Sequence, residues 1–216
     1  MLFRSTYYHD AFIGNSNINK LNWRVRHASV GMYLKKIFFN EKTAAEELFK
    51  RSGQSVLSSF MLKEVSLFNL YTEQKQALIM ALTYKVSVLI GSAGTGKTYT
   101  VRTLIKLLKK YRYEAVILAP SAMAAALAAK ESDCDYQTIH RFARILPEDE
   151  DLGEVKDLPK QDVTINSDLK FIIIDEMSMC TIPMFANFLA AIKKYPYIRL
   201  LLVGDICQLP AIGPRF

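Results

Sequence analysis

The chain has 216 residues, of which 50% are hydrophobic and 23% charged, so it can bury a substantial core and is not a disordered polar segment. Its net charge of +7 favours an anionic partner such as nucleic acid, although a merely basic soluble protein has the same balance. The three cysteines include no C-x-x-C pair, which argues against a disulfide framework or a zinc knuckle, and the lack of a long apolar run or a signal-peptide core predicts a soluble, cytoplasmic protein.

Residues 1–69 differ in composition from the rest and are predicted to form a small, mostly helical N-terminal segment, to which the sequence assigns no role. Aromatic and basic residues are frequent there, and apolar residues recur at helical spacing between Asn40 and Glu64. Gly53 is expected to divide that stretch into two helices. Residues 70–216 are predicted to form a separate domain.

From Leu70 onward, strand and helix patterns alternate. The acidic stretch 147–167 predicts an exposed loop or a small insertion. Apolar strands alternating with helices are typical of the α/β class, with a parallel sheet covered on both sides. In chain order we predict a helix over 71–82 with Thr72 as its N-cap, a strand over 86–90, a helix over 98–111, a strand over 115–119, a helix over 121–130, a strand over 171–174, a helix over 183–193 and a strand over 200–203.

A glycine-rich loop joins the first predicted strand to the helix after it and has the spacing G-x-x-x-x-G-K-[ST]. Loops of this kind surround a phosphate with backbone N–H groups at the positive end of a helix, and a chance glycine loop would lack the flanking strand and helix. Lys97 is expected to bridge the β- and γ-phosphates, and Thr98 to supply a hydroxyl to Mg²⁺. The predicted nucleotide-binding residues of this stretch are Gly91, Ser92, Ala93, Gly94, Thr95, Gly96, Lys97, Thr98 and Tyr99.

Polar residues also follow two later predicted strands, at the edge of a parallel sheet where ligands bind. Asp175 is expected to hold Mg²⁺, mainly through water, and Glu176 to polarise the attacking water. Gln208 would hydrogen-bond the γ-phosphate or the same water. Taken singly, an acidic pair at a strand exit and a glutamine in a Gly-Asp turn also have purely structural readings.

The stretches GSAGTGKT, TIH, IIIDEMSM and VGDICQLPAIGP occur in the order in which they resemble the first motor domain of a superfamily 1 DNA helicase, most of all the RecD-like branch. The resemblance runs from Leu70 to Pro214. It implies a three-layer P-loop NTPase (RecA-like) domain with a parallel sheet, ATP and Mg²⁺ as cofactors, and Glu176, Lys97 and Gln208 as catalytic residues. It further implies ATP hydrolysis coupled to movement on single-stranded DNA, 5′ to 3′.

The resemblance also implies site residues outside the loop. Gln74 would contact the adenine edge, with a surface helix residue as the alternative. Pro120 and Ser121 would contact the DNA backbone, although Ser121 could simply cap the helix that it begins. Thr138 and His140 would form the next DNA contact, with a structural histidine as the alternative.

The segment after Pro120 departs from the family pattern. Ala122 stands where the RecD-like branch has glycine, and Met123 stands where it has a basic residue. We therefore expect this segment to bind DNA more weakly. The Lys-rich helix over 98–111 is expected to show solvent a charged face rather than to bind DNA.

The partners implied by the resemblance are single-stranded DNA, a second motor domain and other subunits of a recombination or repair complex, with no membrane. Since the sequence stops soon after the third catalytic motif, we expect the second motor domain, which supplies a transition-state arginine in the family, to be missing. One alternative is a nucleotide-binding module with little or no turnover. Another is a different P-loop ATPase, such as a loader or partition protein, against which Gln208 and Thr138 argue.

Overall fold

The computed structural model describes residues 35–126, 134–145 and 163–205. Within these ranges, none of the helices is both long enough and apolar enough to span a membrane. The elements are α1 (Lys35–Arg51), α2 (Ser59–Val65), α3 (Thr72–Thr83), β1 (Val86–Ile90), α4 (Lys97–Lys110), β2 (Glu114–Ala119), β3 (Asp135–Thr138), α5 (Ile139–Ala143), β4 (Leu169–Ile174), a 3₁₀ turn (Met177–Met179), α6 (Ile182–Ala191) and β5 (Arg199–Gly204).

The strands form one parallel sheet in the order β1-β5-β4-β2-β3. The α/β class and the parallel sheet predicted from the sequence are therefore confirmed. Because all strands run the same way, their ends define a carboxyl edge and an amino edge of the sheet. The loop after β1 and the acidic pair after β4 both lie at the carboxyl edge.

Helices cover both faces of the sheet because its central strands are apolar on both sides. Neighbouring residues of a strand point to opposite faces, and both Ile172 and Ile173 of β4 are fully buried. Ile173 belongs to the core layer that α3 and α4 share with the sheet. Ile172 belongs to the other layer, with α5 and α6. The result is the three-layer arrangement expected from the motifs.

The two N-terminal helices contribute to different layers of this core. α1 packs along α6, and its Ala44 is completely buried. Met61 of α2, also completely buried, joins the layer of α3 and α4. Gly53, at φ 152°, lies in the bend between the two helices, as predicted.

One sequence prediction needs correction, and one strand was missed. Thr72 is the first residue of α3 rather than its N-cap; Tyr71 takes the extended N-cap conformation, and its N–H is bound by the side chain of Gln74. The strand β3 was not predicted, because Asp135–Thr138 is a polar edge strand without an apolar run. Of the helix predicted over 121–130, residues 122–126 are helical, Ser121 precedes them in a bend, and 127–130 lie outside the described residues, as does most of the acidic stretch 147–167.

Candidate functional site

The loop between β1 and α4 folds back on the end of β5. The N–H of Gly91 donates to the carbonyl oxygen of Gly204 over 3.3 Å. Gly94 and Gly96 have φ angles of 79° and 82°, which favour glycine. A Cβ atom on Gly96 would collide with the side-chain amide of Gln74, and one on Gly91 would lie 2.5 Å from the hydroxyl of Thr95. The loop thus needs its glycines for shape and for close approach.

Lys97 opens α4 and turns its ammonium group back into the loop. Its Nζ donates to the carbonyl oxygens of Gly91 and of Ser92, the latter over 2.9 Å. The same atom lies 3.7 Å from a carboxylate oxygen of Asp205, whose side chain is 3% exposed. Sequence reasoning gave Asp205 no role. The signal that could have found it is the Gly-Asp pair directly after a buried strand.

The acidic pair lies at the end of β4, next to the loop. The N–H of Asp175 donates to the carbonyl of Leu118 over 2.8 Å, and Glu176 donates its own N–H to Asp175 Oδ1 over 2.9 Å. Burial raises the pKa of Asp175, and the Glu176 N–H and the charge of Lys97 partly oppose that rise. Glu176 has a φ of 54°, a strained conformation for a residue other than glycine and one that clusters at functional sites.

The two residues predicted to bind metal line the same cleft. Thr98 and Asp175 face it from α4 and from the end of β4, together with Arg102. The remainder of its lining is apolar and comes from α4 and the strands: Val101, Ile117, Ile173 and Val203. Within the described ranges, no group of three or more His, Cys, Asp or Glu side chains could hold a metal by itself.

Gln74 connects the start of α3 to the loop. Its Oε1 accepts the N–H of Tyr71 over 3.1 Å, and its Nε2 donates to the carbonyl of Thr95 over 3.4 Å. The structure therefore brings Gln74 to the loop, and the adenine contact itself stays a prediction. Gln208, predicted to sense the γ-phosphate, lies outside the described residues.

The predicted DNA-contacting residues meet at the carboxyl edge of two neighbouring strands. Ala119 of β2 is paired with Thr138 of β3, so the segments that follow these strands start side by side. The hydroxyl of Ser121 accepts the N–H of Ala124, and that of Thr138 accepts the N–H of Arg141, each over 3.2 Å. Both residues thus cap helices, which was the structural alternative for Ser121.

Pro120 immediately precedes Ser121, and His140 lies in the first turn of α5, half-buried. Contact of any of these four residues with DNA stays a prediction. The segments that carry them follow the neighbouring strands β2 and β3, and both lie at the carboxyl edge. In the sheet order, β2 lies next to β4, and the acidic pair follows β4.

Comparison with known proteins gives a matching family and several relatives. The family model described as an AAA domain matches residues 74–214. The ATP-dependent RecD2 DNA helicase of Deinococcus radiodurans is 29% identical over 140 residues, which are 65% of this chain and 18% of that protein. The RecBCD enzyme subunit RecD of Mycobacterium tuberculosis is 30% identical over an alignment of 165 residues that covers 66% of this chain and 27% of that protein.

Among solved structures, the Pif1 helicase from Candida albicans is similar with a TM-score of 0.41 at 23% identity, covering 68% of this chain and 34% of that one. The chain thus spans about a third or less of each protein that it resembles here.

Proposed function

Since the chain belongs to the AAA-domain family, we propose that it is the ATP-binding motor domain of a DNA helicase, of the RecD-like branch of superfamily 1. The observation that carries this proposal is the meeting of the glycine loop, Lys97 and two acidic side chains at the carboxyl edge. Lys97 binds the loop carbonyls and lies 3.7 Å from Asp205, and its charge acts on Asp175. Similarity to the ATP-dependent RecD2 DNA helicase supports extending the proposal from nucleotide binding to work on DNA.

The residues present fit a nucleoside triphosphate with Mg²⁺. Two loop glycines have left-handed backbone, and Lys97 already binds oxygen atoms within the loop, so the same donors suit phosphate oxygens. The helix that follows has 14 residues and adds its positive end to the site. Thr98 and Asp175 offer Mg²⁺ few protein ligands, which suits an ion that also binds phosphates and water.

Each of the proposed site residues has a separate role in ATP hydrolysis. Lys97 would neutralise charge on the β- and γ-phosphates, and Asp175 would hold the metal, which when bound offsets the charge that builds up in the transition state. Glu176, held beside Asp175 by its backbone, would orient and polarise the attacking water. We assign the adenine edge to Gln74, on the family resemblance, and the γ-phosphate or the attacking water to Gln208.

Single-stranded DNA is the proposed track, passing over the segments that begin at Pro120 and Thr138, with 5′ to 3′ movement in the complete protein. The net charge of +7 suits a polyanion. A second motor domain and other subunits of a recombination or repair complex are the proposed protein partners. The full rate needs that second domain if, as the resemblance implies, it provides the transition-state arginine, so turnover by this chain alone is expected to be slow.

ATP hydrolysis with Mg²⁺, measured while single-stranded DNA is titrated in, tests the proposal. Turnover that rises with DNA, and disappears in Lys97→Ala, is the expected result. Tight nucleotide binding without turnover would instead support the nucleotide-binding module. Absence of nucleotide binding in the unmodified chain would refute both functions.

A further inference from the structure

Asp205 is the one buried acidic side chain in ion-pair contact with the phosphate-loop lysine among the residues that the structure describes. It directly follows β5, which pairs with the loop-bearing strand β1. The N–H of Gly91 also binds the carbonyl of Gly204, so the backbone next to Asp205 is joined to the start of the loop. The backbone that carries Asp205 is therefore held in place relative to the loop that carries Lys97.

The ammonium group of Lys97 has three hydrogens to share. Two are directed to the carbonyls of Gly91 and Ser92, and the carboxylate of Asp205 lies 3.7 Å away. A bound nucleotide needs the same ammonium group for its phosphates. When a nucleotide binds, Lys97 therefore gives up its contacts with the two carbonyls and with the carboxylate of Asp205, and forms contacts with phosphate oxygens instead.

This exchange makes nucleotide binding less favourable electrostatically, and the size of the cost depends on how deeply Asp205 is buried. A carboxylate that is 3% exposed is weakly screened, so it attracts Lys97 and repels an incoming phosphate more strongly than a surface acid would. When a nucleotide leaves, the ion pair between Asp205 and Lys97 forms again. The same charge thus weakens binding and speeds release.

Resting on the nucleotide site proposed above, we propose that Asp205 is a positioning residue that competes with bound nucleotide for Lys97 and so accelerates release of the product ADP. Product release limits the turnover of many enzymes, so a built-in competitor for the phosphate ligand has a clear use in a motor that must empty its site in every cycle. Asp205 touches neither substrate nor metal in this role and acts through Lys97.

The test is the rate at which a fluorescent ADP derivative leaves the protein in the absence of Mg²⁺, measured by rapid mixing with excess unlabelled ADP. Asp205→Asn should slow release about tenfold and tighten binding by a similar factor, because affinity changes appear mainly in dissociation. Asp205→Glu keeps the charge and should release ADP at nearly the unmodified rate. Asp168→Asn removes an exposed acid at the opposite edge of the sheet and should change nothing.

Slower release cannot come from a damaged fold, which would loosen the site. Release that is unchanged or faster in Asp205→Asn overturns the inference. If that variant does not fold, Asp205→Ser is measured in its place against the same expectation. An unmodified chain that does not bind ADP would instead refute the proposed function.

A second readout separates competition for Lys97 from simple repulsion of phosphate. In the nucleotide-free protein, Lys97→Met and Asp205→Asn should have non-additive effects on the free energy of unfolding, because each removes the same ion pair. Strict additivity would show that the two groups do not stabilise one another and would overturn the role assigned to Asp205.

Discussion

The hydrogen-bond partners of Arg51, Tyr195 and Arg199 at the amino edge of the sheet lie much farther along the chain than those of Lys97 at the carboxyl edge. At the amino edge, such side chains bind backbone carbonyls that are distant in sequence: Arg51 reaches Tyr195, the hydroxyl of Tyr195 donates to Val163 over 2.6 Å, and Arg199 donates to Tyr84 over 2.9 Å. At the carboxyl edge, Lys97 binds carbonyls of its own loop, within six residues.

This difference indicates which edge stabilises the fold and which serves ligands. A buried donor tied to a distant carbonyl joins elements together, and breaking it leaves polar groups without partners. The hydrogen bonds of Lys97 stay within its own loop, and its contact with Asp205 is a longer one of 3.7 Å, so a ligand can replace both while the elements on either side keep their packing. Changes at the two edges should accordingly separate stability from function.

Lys97→Ala should have the largest effect on function. We expect nucleotide affinity to fall on the order of a thousandfold, because the charge-assisted contacts to phosphate are lost. Titration calorimetry with ATP and Mg²⁺ measures it. Lys106→Ala removes an exposed charge from the same helix and serves as the control; equal affinities of Lys97→Ala and the unmodified chain would refute the site assignment.

Glu176→Gln should leave ATP binding within a fewfold and lower hydrolysis about a hundredfold, because the amide cannot take a proton from water. DNA-stimulated turnover and ATP affinity, measured on the same preparation, check both parts. A loss of binding would mean that the left-handed backbone at Glu176 shapes the cleft, and that the residue is structural.

The sequence was most informative at the carboxyl edge. The loop residues, Asp175 and Glu176 were identifiable because phosphate and metal chemistry require those residue types at fixed places after buried strands. Asp205 was missed, since one aspartate in a Gly-Asp turn has no spacing that links it to a lysine more than a hundred residues earlier. That contact depends on the sheet order, which places β5 beside β1.

The amino edge and the N-terminal helices were less predictable. Helical spacing indicated that α1 and α2 exist and that Gly53 separates them, but not which surfaces they cover. The sequence analysis gave Arg51 no role, whereas its side chain is 2% exposed and binds the carbonyl of Ile192 just after α6. Periodicity shows that a face is apolar, and only the tertiary arrangement determines its partner.

Arg51→Met tests whether the amino edge of the sheet stabilises the fold. The change leaves Glu47 buried without the guanidinium group that binds its carboxylate over 3.0 Å, so we expect a loss of about 3 kcal/mol in the free energy of unfolding. Chemical denaturation measures it, and Lys50→Met, an exposed neighbour, is the control. Nucleotide affinity of the folded fraction should be unchanged; a parallel loss of affinity would mean that the two edges are not independent.

The smallest effect is expected from the ion pair that joins α2 to the C-terminal end of α4. The carboxylate of Glu64 accepts from Lys110 over 2.7 Å and from the hydroxyl of Tyr111 over 2.8 Å, and these bonds, that of Lys110 foremost, lower the pKa of Glu64. Because the Lys110 side chain is 63% exposed and water screens the pair, Glu64→Gln should destabilise the protein less than Arg51→Met does.

The sign of the pH dependence distinguishes this pair from general acid denaturation. A carboxylate whose pKa is lowered by folding contributes its full stability above the unfolded value of about 4.3 and loses it as pH falls through the folded value. The difference in thermal midpoint between the unmodified chain and Glu64→Gln should therefore be constant near neutral pH and vanish in acid. In a Lys110→Met background the difference near neutral pH should be smaller, because the largest cause of the pKa shift has been removed. A difference that grows as pH falls would mean that the neutral carboxyl is the favoured form, and that α2 is held to α4 by its apolar contacts alone.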